Sequence, residues 1–422
     1  MLRTRSIGTA FGHHRRTLSS ALYVTGDKAK EQYAPLIPYL DFQAKLADIG
    51  KLEHNLRLRR YRLDLDHLKQ QWELYRLMEQ RKRDIEIRRV ELRDLIAKAT
   101  SEETVNQLKL QATLAKADLK SLRESSYAVA DNFVAGTFLA IPNELHERTP
   151  AEEAVVLYEN SPTRALSKAI GGDWLEEYDS TSTYMREDAA LMDLFLPIRC
   201  VEMFQDAGFV LFSNPDFVRT VLVEAAQEDL DSVYEVKEEV ALEHTLNRLH
   251  LCGGSSMLSF LGYLTKLSVF PTALPLRLVA NGKQYLYEKA QTSAVQVLAA
   301  AQSSEAVIQI FDDTLELYKH LYDKLGLPYR LVMIPAHELK PAEAMRVSIE
   351  VASLNDRQRF VSVGSVSYYG DFISKRIAFN YHEGKVQKFP HLVAGTVVTA
   401  RELIKLLLHS GVRFSDLNFL SS

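Results

Sequence analysis

The sequence contains little cysteine and no long hydrophobic run. Cys200 and Cys252 are the only two cysteines among 422 residues. Their wide separation argues against a disulfide framework and favours a reducing compartment. No stretch of about 18 apolar residues occurs, so we predict no transmembrane helix. The formal net charge of -4 argues against a protein that coats nucleic acid over its whole surface, but it is compatible with one local basic face.

The N-terminal segment lacks acidic residues as far as Gly26, and the first one is Asp27. Serine, threonine and small apolar residues alternate there with Arg3, Arg5, Arg15 and Arg16. An arginine-rich, hydroxyl-rich and acid-free leader is typical of a mitochondrial transit peptide, and the alternative is a disordered basic tail. We therefore predict a transit peptide over residues 1–25 and a location in the mitochondrial matrix.

Proline and glycine are absent from Lys51 to Ala135, so neither residue type interrupts a helix there. Apolar residues in the second half of this stretch recur at alternating steps of three and four residues, the spacing of a heptad seam. This seam consists of Val105, Leu108, Ala112, Ala115, Leu119, Leu122, Ser126, Val129 and Phe133. In the first half, Leu65, Leu68, Trp72 and Tyr75 hold one register, which Ile85, Val90, Leu92 and Leu95 then shift. We predict a two-helix hairpin from Leu46 to Phe133, roughly 45 Å long.

The first helix of this predicted arm is basic. Between Lys51 and Thr100 there are 14 lysines and arginines against 9 acidic residues. We name two groups: the proximal cluster is Arg57, Arg59, Arg60 and Arg62, and the distal cluster is Arg81, Lys82, Arg83, Arg88 and Arg89. Such charges are usually the solvated face of a coiled coil. Because the guanidinium fork suits phosphate, a nucleic-acid-binding surface is the second interpretation, and both stay open on the residues alone.

The remaining chain predicts a linker and a second domain. The arm, with its lead-in, covers 26–139, and Ile141-Pro-Asn143 begins an exposed linker over 140–183. An amphipathic helix over Tyr184–Asp206 then opens a domain that spans 184–422. Predicted strands are Leu274–Val279, Gln284–Tyr287, Ala294–Ala299, Arg330–Ile334, Arg346–Val351, Phe360–Val366 and Lys375–Tyr381, and further helices are Val307–Leu325 and Ala400–His409. This pattern favours an α+β fold with a mainly antiparallel sheet flanked by helices.

Metal-binding signals are weak. His244, His250 and Cys252 lie near one another in sequence, but no fourth ligand follows at a recognised spacing. The glycine-rich run Cys252-Gly-Gly-Ser-Ser256 lacks the Gly-Lys-Ser/Thr ending of a phosphate-binding loop. We therefore predict no metal site and no cofactor.

The order of these parts resembles seryl-tRNA synthetase, a class II enzyme, over nearly the whole chain after the leader. The stretch from Asp188 to Pro215 is similar to motif 1, which implies that Leu191, Phe195 and Pro215 lie at a dimer interface. Leu274-Pro-Leu-Arg277 is similar to the entry of motif 2. Asp371-Phe-Ile-Ser-Lys-Arg376 resembles the family's Asp-Phe-Gln-Ala-Arg-Arg. Ala394–Arg401 is similar to motif 3 and puts Arg401 at the adenine-stacking position. The resemblance also implies that the basic arm binds tRNA.

The chain departs from this family where the family binds its substrates. In the Phe-Arg-x-Glu run of motif 2, Glu288 remains but the arginine is replaced by Leu286. The Thr-x-Glu run that recognises serine reads Gly253-Gly-Ser255. The Ser-Asn pair before Asp371 reads Ser367-Tyr368. Loss of one preorganised donor typically costs about 10²–10³ in rate, so Leu286, Ser255 and Tyr368 predict an inactive site in which Glu288 and Arg401 are relicts.

The chain thus combines a retained order of motifs with the loss of substrate-binding residues. This combination resembles a catalytically degenerate mitochondrial paralogue of the family. This implies a non-catalytic subunit that forms a heterodimer with an active mitochondrial seryl-tRNA synthetase and supports the binding and aminoacylation of serine tRNA. A homodimer stays open. Two alternatives also stay open: a divergent but active mitochondrial seryl-tRNA synthetase, and a general mitochondrial RNA- or DNA-binding protein that uses only the arm.

Overall fold

A computed structural model confirms the predicted α+β fold, with a helical arm joined to a sheet domain. The structure describes residues 20–26, 36–160, 169–178, 182–237, 246–285, 291–353 and 356–417. Its α-helices are α1 Phe42–Leu46, α2 Ile49–Leu58, α3 Leu65–Lys98, α4 Glu102–Val134, α5 Glu187–Asp206, α6 Thr220–Ala225, α7 Met257–Leu264, α8 Ser304–Leu325, α9 Phe372–Ile377 and α10 Ala400–His409. Its strands are β1 Val155–Asn160, β2 Leu175–Glu177, β3 Thr183–Met185, β4 Val210–Leu211, β5 Phe217–Arg219, β6 Tyr234–Val236, β7 Leu249–Leu251, β8 Ser268–Val269, β9 Leu276–Gln284, β10 Thr292–Ala301, β11 Tyr329–Met333, β12 Met345–Ser353, β13 Asp356–Gly370, β14 Asn380–Glu383, β15 Val386–Lys388 and β16 His391–Thr399.

An eight-stranded sheet forms the centre of the domain in the order β1-β11-β12-β13-β16-β10-β9-β4. Neighbouring strands are antiparallel except for β4 and β9, which are parallel. Side chains of alternate residues point to opposite faces of a strand. Val295 and Val297 therefore join the core under α5, α8 and α10, while Leu298 and Ala300 join a second core that includes α7 and the base of the arm. Both faces of β10 are thus covered by apolar packing.

The predicted helices Val307–Leu325 and Ala400–His409 are confirmed as α8 and α10. Helix α8 begins where the Ser303 hydroxyl accepts a hydrogen bond from the Ala306 amide, and it ends at the left-handed Gly326. The predicted strand over Lys375–Tyr381 is wrong, because α9 occupies Phe372–Ile377 and a strand begins only at Asn380. The short apolar run read as a strand instead buries Phe372, Ile373 and Ile377 on a helix. The predicted strand Gln284–Tyr287 lies partly outside the described residues.

The hairpin of α3 and α4 confirms the predicted seam of the second helix. Every one of its nine residues from Val105 to Phe133 is buried or half-buried, whereas most of the residues between them are exposed. On α3, Ile85 and Leu92 are covered, but Val90 and Leu95 are 50% and 45% exposed. These last two do not belong to the seam, so the shifted register was predicted only in part.

The first helix of the arm is interrupted, although its sequence lacks proline and glycine. Helix α2 ends at Leu58, and Arg60 takes a left-handed conformation with φ of 51°. The Tyr61 amide then donates to the Leu56 carbonyl, which satisfies the helix end. Asp64 starts α3 by accepting a hydrogen bond from the His67 amide at 2.9 Å. The predicted continuous helix is therefore wrong at this point.

The end of the predicted leader packs into the fold. Ala21 and Leu22 are buried in the second core, and the Glu224 carboxylate accepts hydrogen bonds from the Leu22 amide at 2.9 Å and the Ser20 hydroxyl at 2.5 Å. The Thr25 hydroxyl donates to Asp131 of α4 at 2.7 Å. A transit peptide that leaves this packing intact would end before Ser20, whereas the prediction puts its end at residue 25. We call residues 20–25 the N-terminal strap.

The predicted exposed linker is docked at its start and pairs with the central sheet further along, although residues 151–157 are exposed. Asn143 is buried, and its side-chain amide donates to the carbonyls of Ala342 and Tyr369 at 2.9 and 2.7 Å. Further along, Val155–Asn160 forms β1 and pairs with β11 at the edge of the central sheet. Among the described residues, no helix combines the length and the apolar character that crossing a membrane requires.

Candidate functional sites in the arm and on the central sheet

The distal cluster lies on α3, and most of its side chains point into solvent. Lys82 pairs with Glu79, and Arg88 lies 3.3 Å from Glu91. Arg81, Arg83 and Arg89 are exposed and have no carboxylate within ion-pair distance in the described part of the chain. Uncompensated guanidinium groups on a protruding helix are suited to contact a phosphate backbone.

The proximal cluster loses one predicted member. Arg59 is only 5% exposed, and its guanidinium donates to the carbonyls of Asn143 at 3.1 Å, Glu343 at 2.5 Å and Lys340 at 3.3 Å. Burial lowers the pKa of Arg59 to about 10, with Glu343 opposing this, so the side chain stays charged at neutral pH. Arg59 therefore anchors the arm to the sheet domain, and the prediction that it binds nucleic acid is wrong.

The other three arginines of the proximal cluster line a groove. The groove lies between α2 and the start of α3 and has a volume of about 1010 Å³. Arg57, Arg60 and Arg62 are exposed around it, together with the half-buried Tyr61. The helix break that sequence patterns missed creates this concave surface, because it turns the chain between the two helices.

The central strand β10 carries no charged side chain. All residues from Ala294 to Ala301 are buried, and the one polar side chain, Gln296, accepts a hydrogen bond from the Thr396 hydroxyl at 2.9 Å. The predicted relict Glu288 and the replaced position Leu286 lie outside the described residues. The described part of β10 therefore offers no cation for a triphosphate.

The predicted adenine-stacking residue is held by acidic neighbours. The Arg401 side chain is 15% exposed, and its guanidinium donates to Glu402 at 2.9 Å and to the Thr183 hydroxyl at 3.4 Å. Glu177 of the β2–β3 hairpin lies 3.9 Å from Arg401 and also binds Lys405 at 2.6 Å. Arg401 is therefore engaged in internal contacts between α10 and this hairpin.

The segment Gly253-Gly-Ser255, which is predicted to take the place of the Thr-x-Glu run, is closed onto β9. Gly253 has φ of +93°, and a Cβ atom added there would lie 2.0 Å from the Lys283 carbonyl oxygen. Asp216 accepts hydrogen bonds from the amides of Gly253 at 2.9 Å, through its carbonyl, and of Gly254 at 2.7 Å, through its carboxylate. Ser255 is fully buried, and its hydroxyl lacks a hydrogen-bond partner. Only glycine fits at position 253 in this arrangement.

Tyr368, which is predicted to replace the family's asparagine, is packed rather than open. It is 5% exposed, and its hydroxyl lies 3.0 Å from both the Ser304 hydroxyl and the His391 Nδ1 atom. Burial raises the pKa of Tyr368 and lowers the pKa of His391, so both groups are uncharged at neutral pH. The His146 ring packs edge-on against Tyr368 at 5.4 Å. Sequence spacing offered no signal for this cluster, because its members come from four distant segments.

A broad apolar surface lies where the resemblance implies a dimer interface. Leu191 and Phe195 of α5 are 39% and 38% exposed, and Leu194 is 62% exposed. The exposed apolar residues continue with Ile198 on the same helix face and with Val210 and Leu211 of β4, and Pro215 is also exposed. Exposed apolar side chains grouped in this way are suited to a protein interaction surface. Val210 and Leu211 form the two-residue strand β4, which lies within the stretch Asp188–Pro215 that resembles motif 1.

The weak metal signal is not supported by the described residues. The His250 side chain is buried and lies 2.9 Å from the Thr220 hydroxyl through Nε2. Cys252 is also buried, and His244 lies outside the described residues. Within the described ranges, no group of three or more histidine, cysteine or acidic side chains is arranged to hold a metal ion.

Comparison with known proteins gives a consistent assignment. No protein-family model matches the sequence. The serine–tRNA synthetase-like protein Slimp of Drosophila melanogaster is 34% identical over 430 residues, which cover 96% of this chain and 91% of that protein. The mitochondrial serine–tRNA ligase of Mus musculus is 23% identical over 91% of this chain and 82% of that protein.

The fold is similar to that of solved seryl-tRNA synthetases. The seryl-tRNA synthetase of Pyrococcus horikoshii, solved in complex with ATP, superposes with a TM-score of 0.78 at 14% identity, over 91% of this chain and 98% of that one. The cytoplasmic serine–tRNA ligase of Naegleria fowleri gives a TM-score of 0.69. At these identities the likeness shows the fold alone.

Proposed function

Because the chain belongs to the family of seryl-tRNA synthetase-like proteins, we propose that it is a non-catalytic paralogue of the synthetase. It forms a heterodimer with an active mitochondrial seryl-tRNA synthetase in the matrix. In that complex one chain activates serine, and this chain helps to hold serine tRNA so that its partner aminoacylates it.

The closed contact between Gly253 and β9 carries this proposal. Activation of an amino acid requires cations on the ATP phosphates and a group that recognises the substrate amine, both held in advance. Ser255, which is predicted to stand at the amine-binding position, is fully buried, and the described part of β10 is uncharged. Each missing donor costs roughly 2.7–4 kcal/mol of transition-state stabilisation. Two or more such losses leave no useful rate of serine activation.

The arm supports the RNA part of the proposal. Its distal cluster presents unpaired guanidinium groups on a helix that projects from the sheet domain. Arg59 and Asn55 fix the base of the arm, since both donate to the Asn143 carbonyl, at 3.1 and 3.0 Å. An arm held in one orientation presents its charges without a further ordering cost on binding.

The exposed apolar face of α5 and β4 supports the proposal that a synthetase subunit is the partner. An isologous dimer interface uses the same surface on both subunits, so a paralogue that keeps this surface is able to replace one half of a synthetase dimer. The mitochondrial part rests on the acid-free leader and on similarity to a mitochondrial relative.

Pyrophosphate exchange tests the catalytic half of the proposal. The purified chain is incubated with ATP, serine and labelled pyrophosphate, and formation of labelled ATP is measured beside an active seryl-tRNA synthetase. We expect no exchange above the enzyme-free background. Serine-dependent exchange would instead support a divergent active enzyme, which the retained Arg401 and Glu288 favour.

A general mitochondrial RNA- or DNA-binding protein is the second candidate function, which the unpaired arginines of the arm favour. Competition binding distinguishes the two. The heterodimer account predicts that serine tRNA displaces a labelled serine tRNA better than an unrelated tRNA or duplex DNA of equal length does. Equal displacement by all three competitors would favour the general binder.

A further inference from the structure

The proximal groove is a concave site, whereas the distal cluster lies on a convex rod. Its walls come from the end of α2, the helix break and the first turn of α3, and they include Leu56 and Leu65 as well as the arginines. A volume of about 1010 Å³ is at the upper end of pockets that enclose small organic ligands. The groove therefore has room for more than one phosphate group.

The charges around the groove favour an anion. Arg57, Arg60 and Arg62 have no carboxylate partner within the part of the chain that the structure describes. The Arg57 guanidinium lies 2.8 Å from the His54 ring nitrogen, which holds it over the groove. Two acidic residues also line the groove: Asp64 accepts the His67 amide as the cap of α3, and Glu53 is exposed on α2. The arginines therefore outnumber the carboxylates by three to two. Three guanidinium groups thus remain available for phosphate oxygens.

An aromatic ring and a rigid backbone complete the site. Tyr61 lines the groove and also packs against the second core, which fixes its ring. The backbone beside it is held by the hydrogen bond from Arg60 to the Arg57 carbonyl at 3.0 Å and by the buried contacts of Arg59. Unstacked nucleobases bind aromatic rings and guanidinium planes, whereas duplex RNA offers its bases no such contact.

We propose that this groove binds a single-stranded RNA segment, with its phosphates on Arg57, Arg60 and Arg62 and a base against Tyr61. The inference rests on the proposed function of the arm in RNA binding and divides it between two sites. The distal cluster contacts duplex backbone on the convex rod, and the proximal groove receives an unpaired stretch of the same RNA.

The test compares a short single-stranded oligoribonucleotide with the duplex that it forms with its complement. Fluorescence anisotropy measures the affinity of the full chain, of Arg57→Gln/Arg62→Gln and of the control Lys116→Gln/Lys120→Gln, which removes the same charge from exposed positions on α4. The groove variant should bind the single strand at least tenfold more weakly, and its salt slope should fall by about 1.4, or 0.7 for each of the two arginines removed. Its duplex affinity should match that of the control. Single-strand affinity equal to that of the control would overturn the proposal.

Tyr61→Leu separates stacking from charge. Removal of one stacking ring should weaken binding of the single strand by roughly five- to 150-fold with an unchanged salt slope. Thermal unfolding of each variant distinguishes weaker RNA binding by a folded protein from failure to fold, and Tyr61→His keeps a stacking ring if Tyr61→Leu does not fold. Affinity unchanged in a folded variant would rule out stacking of a base on Tyr61.

A third variant, Arg81→Gln/Arg83→Gln/Arg89→Gln, separates this inference from the proposed function. If it weakens serine tRNA and duplex binding while the groove variants leave single-strand binding unchanged, the groove inference fails and the arm's proposed function stands. If the unaltered chain binds neither probe nor serine tRNA, both fail.

Discussion

A Cβ atom at Gly253 would lie 2.0 Å from the carbonyl oxygen of Lys283. This close approach seals the segment Gly253-Gly-Ser255, which is predicted to take the place of the family's serine-recognising run. Because the backbone of Lys283 lies within a paired strand, it is unable to move aside without disturbing the sheet.

Restoring the family's threonine should therefore destabilise the protein. We predict that Gly253→Thr lowers the free energy of unfolding by at least about 2 kcal/mol, since it adds overpacking to a positive φ angle. Urea denaturation measures this. Gly172→Thr is the control, because no atom lies within 4 Å of a Cβ added there. Equal stability of the two variants would show that the segment opens readily, and the closed-site account would lose its main support.

The carboxylate of Glu144, in the linker, should make the stability of the protein depend on pH in the acid range. Burial alone would raise its pKa, but the ammonium groups of Lys51 and Lys45, at 2.7 and 2.9 Å, hold the pKa at about 2. The pKa of a glutamate in the unfolded chain is about 4.3. A depressed folded pKa contributes stability above the unfolded value and loses it as pH falls through the folded value. The stability difference between wild type and Glu144→Gln should thus shrink between about pH 4.5 and pH 2.

The ion pairs of Glu144 with Lys51 and Lys45 contribute little to stability at neutral pH, because the Glu144 side chain is 48% exposed and solvent screens its charge. We expect Glu144→Gln to cost less than about 1 kcal/mol there. Urea denaturation of both proteins at several pH values measures the stability difference at neutral pH and its change with pH. A stability difference that is the same at pH 7 and pH 2 would contradict the charge pairing.

The distal cluster should control the salt dependence of tRNA binding. Changing Arg81, Arg83 and Arg89 to glutamine should reduce the slope of log affinity against log salt by roughly 0.7–0.9 for each phosphate that the variant no longer binds. Anisotropy titrations of serine tRNA over a range of salt concentrations measure the slope. Lys116→Gln/Lys120→Gln is again the matched control, and identical slopes for the two variants would refute phosphate binding by the distal cluster.

The N-terminal strap should be required for full stability. Removing residues 1–19 should leave unfolding unchanged, whereas removing 1–25 should cost roughly 2–4 kcal/mol, because it uncovers the pocket of Leu22 and the carboxylate of Glu224. Thermal and urea denaturation compare the two truncations. In the full chain, Leu22→Ala should reproduce a large part of the loss. Equal stabilities would mean that the strap packs without stabilising the fold.

The apolar face of α5 should bind the synthetase partner. Leu194→Asp/Ile198→Asp should weaken association with a mitochondrial seryl-tRNA synthetase at least tenfold, because each carboxylate is desolvated in an apolar interface. Sedimentation velocity measures the complex. Leu110→Asp/Leu114→Asp on α4 is the control, since both leucines are similarly exposed on the arm, at 63% and 56%. A heterodimer that persists in the α5 variant would exclude this face.

Long-range periodicity explains which parts of the fold were predictable. The seam of α4 and the helices α8 and α10 repeat one spacing over several turns, so a single packing direction satisfies all their residues. The break after Leu58 was not predictable in this way. A glycine usually supplies the left-handed residue that ends a helix, but here Arg60 adopts that conformation while the neighbouring Arg59 is fixed by tertiary hydrogen bonds.

The candidate sites follow the same division. The replacements at Leu286, Ser255 and Tyr368 stay predictions, because they depend on the order of the motifs alone. The packing around these positions was not predictable from sequence. Tyr368, for example, contacts Ser304 and His391 only in the folded protein. Burial of Arg59 and the docking of the strap also depend on surfaces far away in sequence, and composition alone assigned both to solvent.

Aminoacylation of mitochondrial serine tRNA tests the central claim most directly. The reaction is run with a mitochondrial seryl-tRNA synthetase alone, with this chain alone, and with both chains together, each with ATP and labelled serine. We predict no charging by this chain alone and faster charging by the two together than by the synthetase alone, with the increase abolished in the Leu194→Asp/Ile198→Asp variant. Charging of the tRNA by this chain alone, or no increase when both are present, would contradict the account.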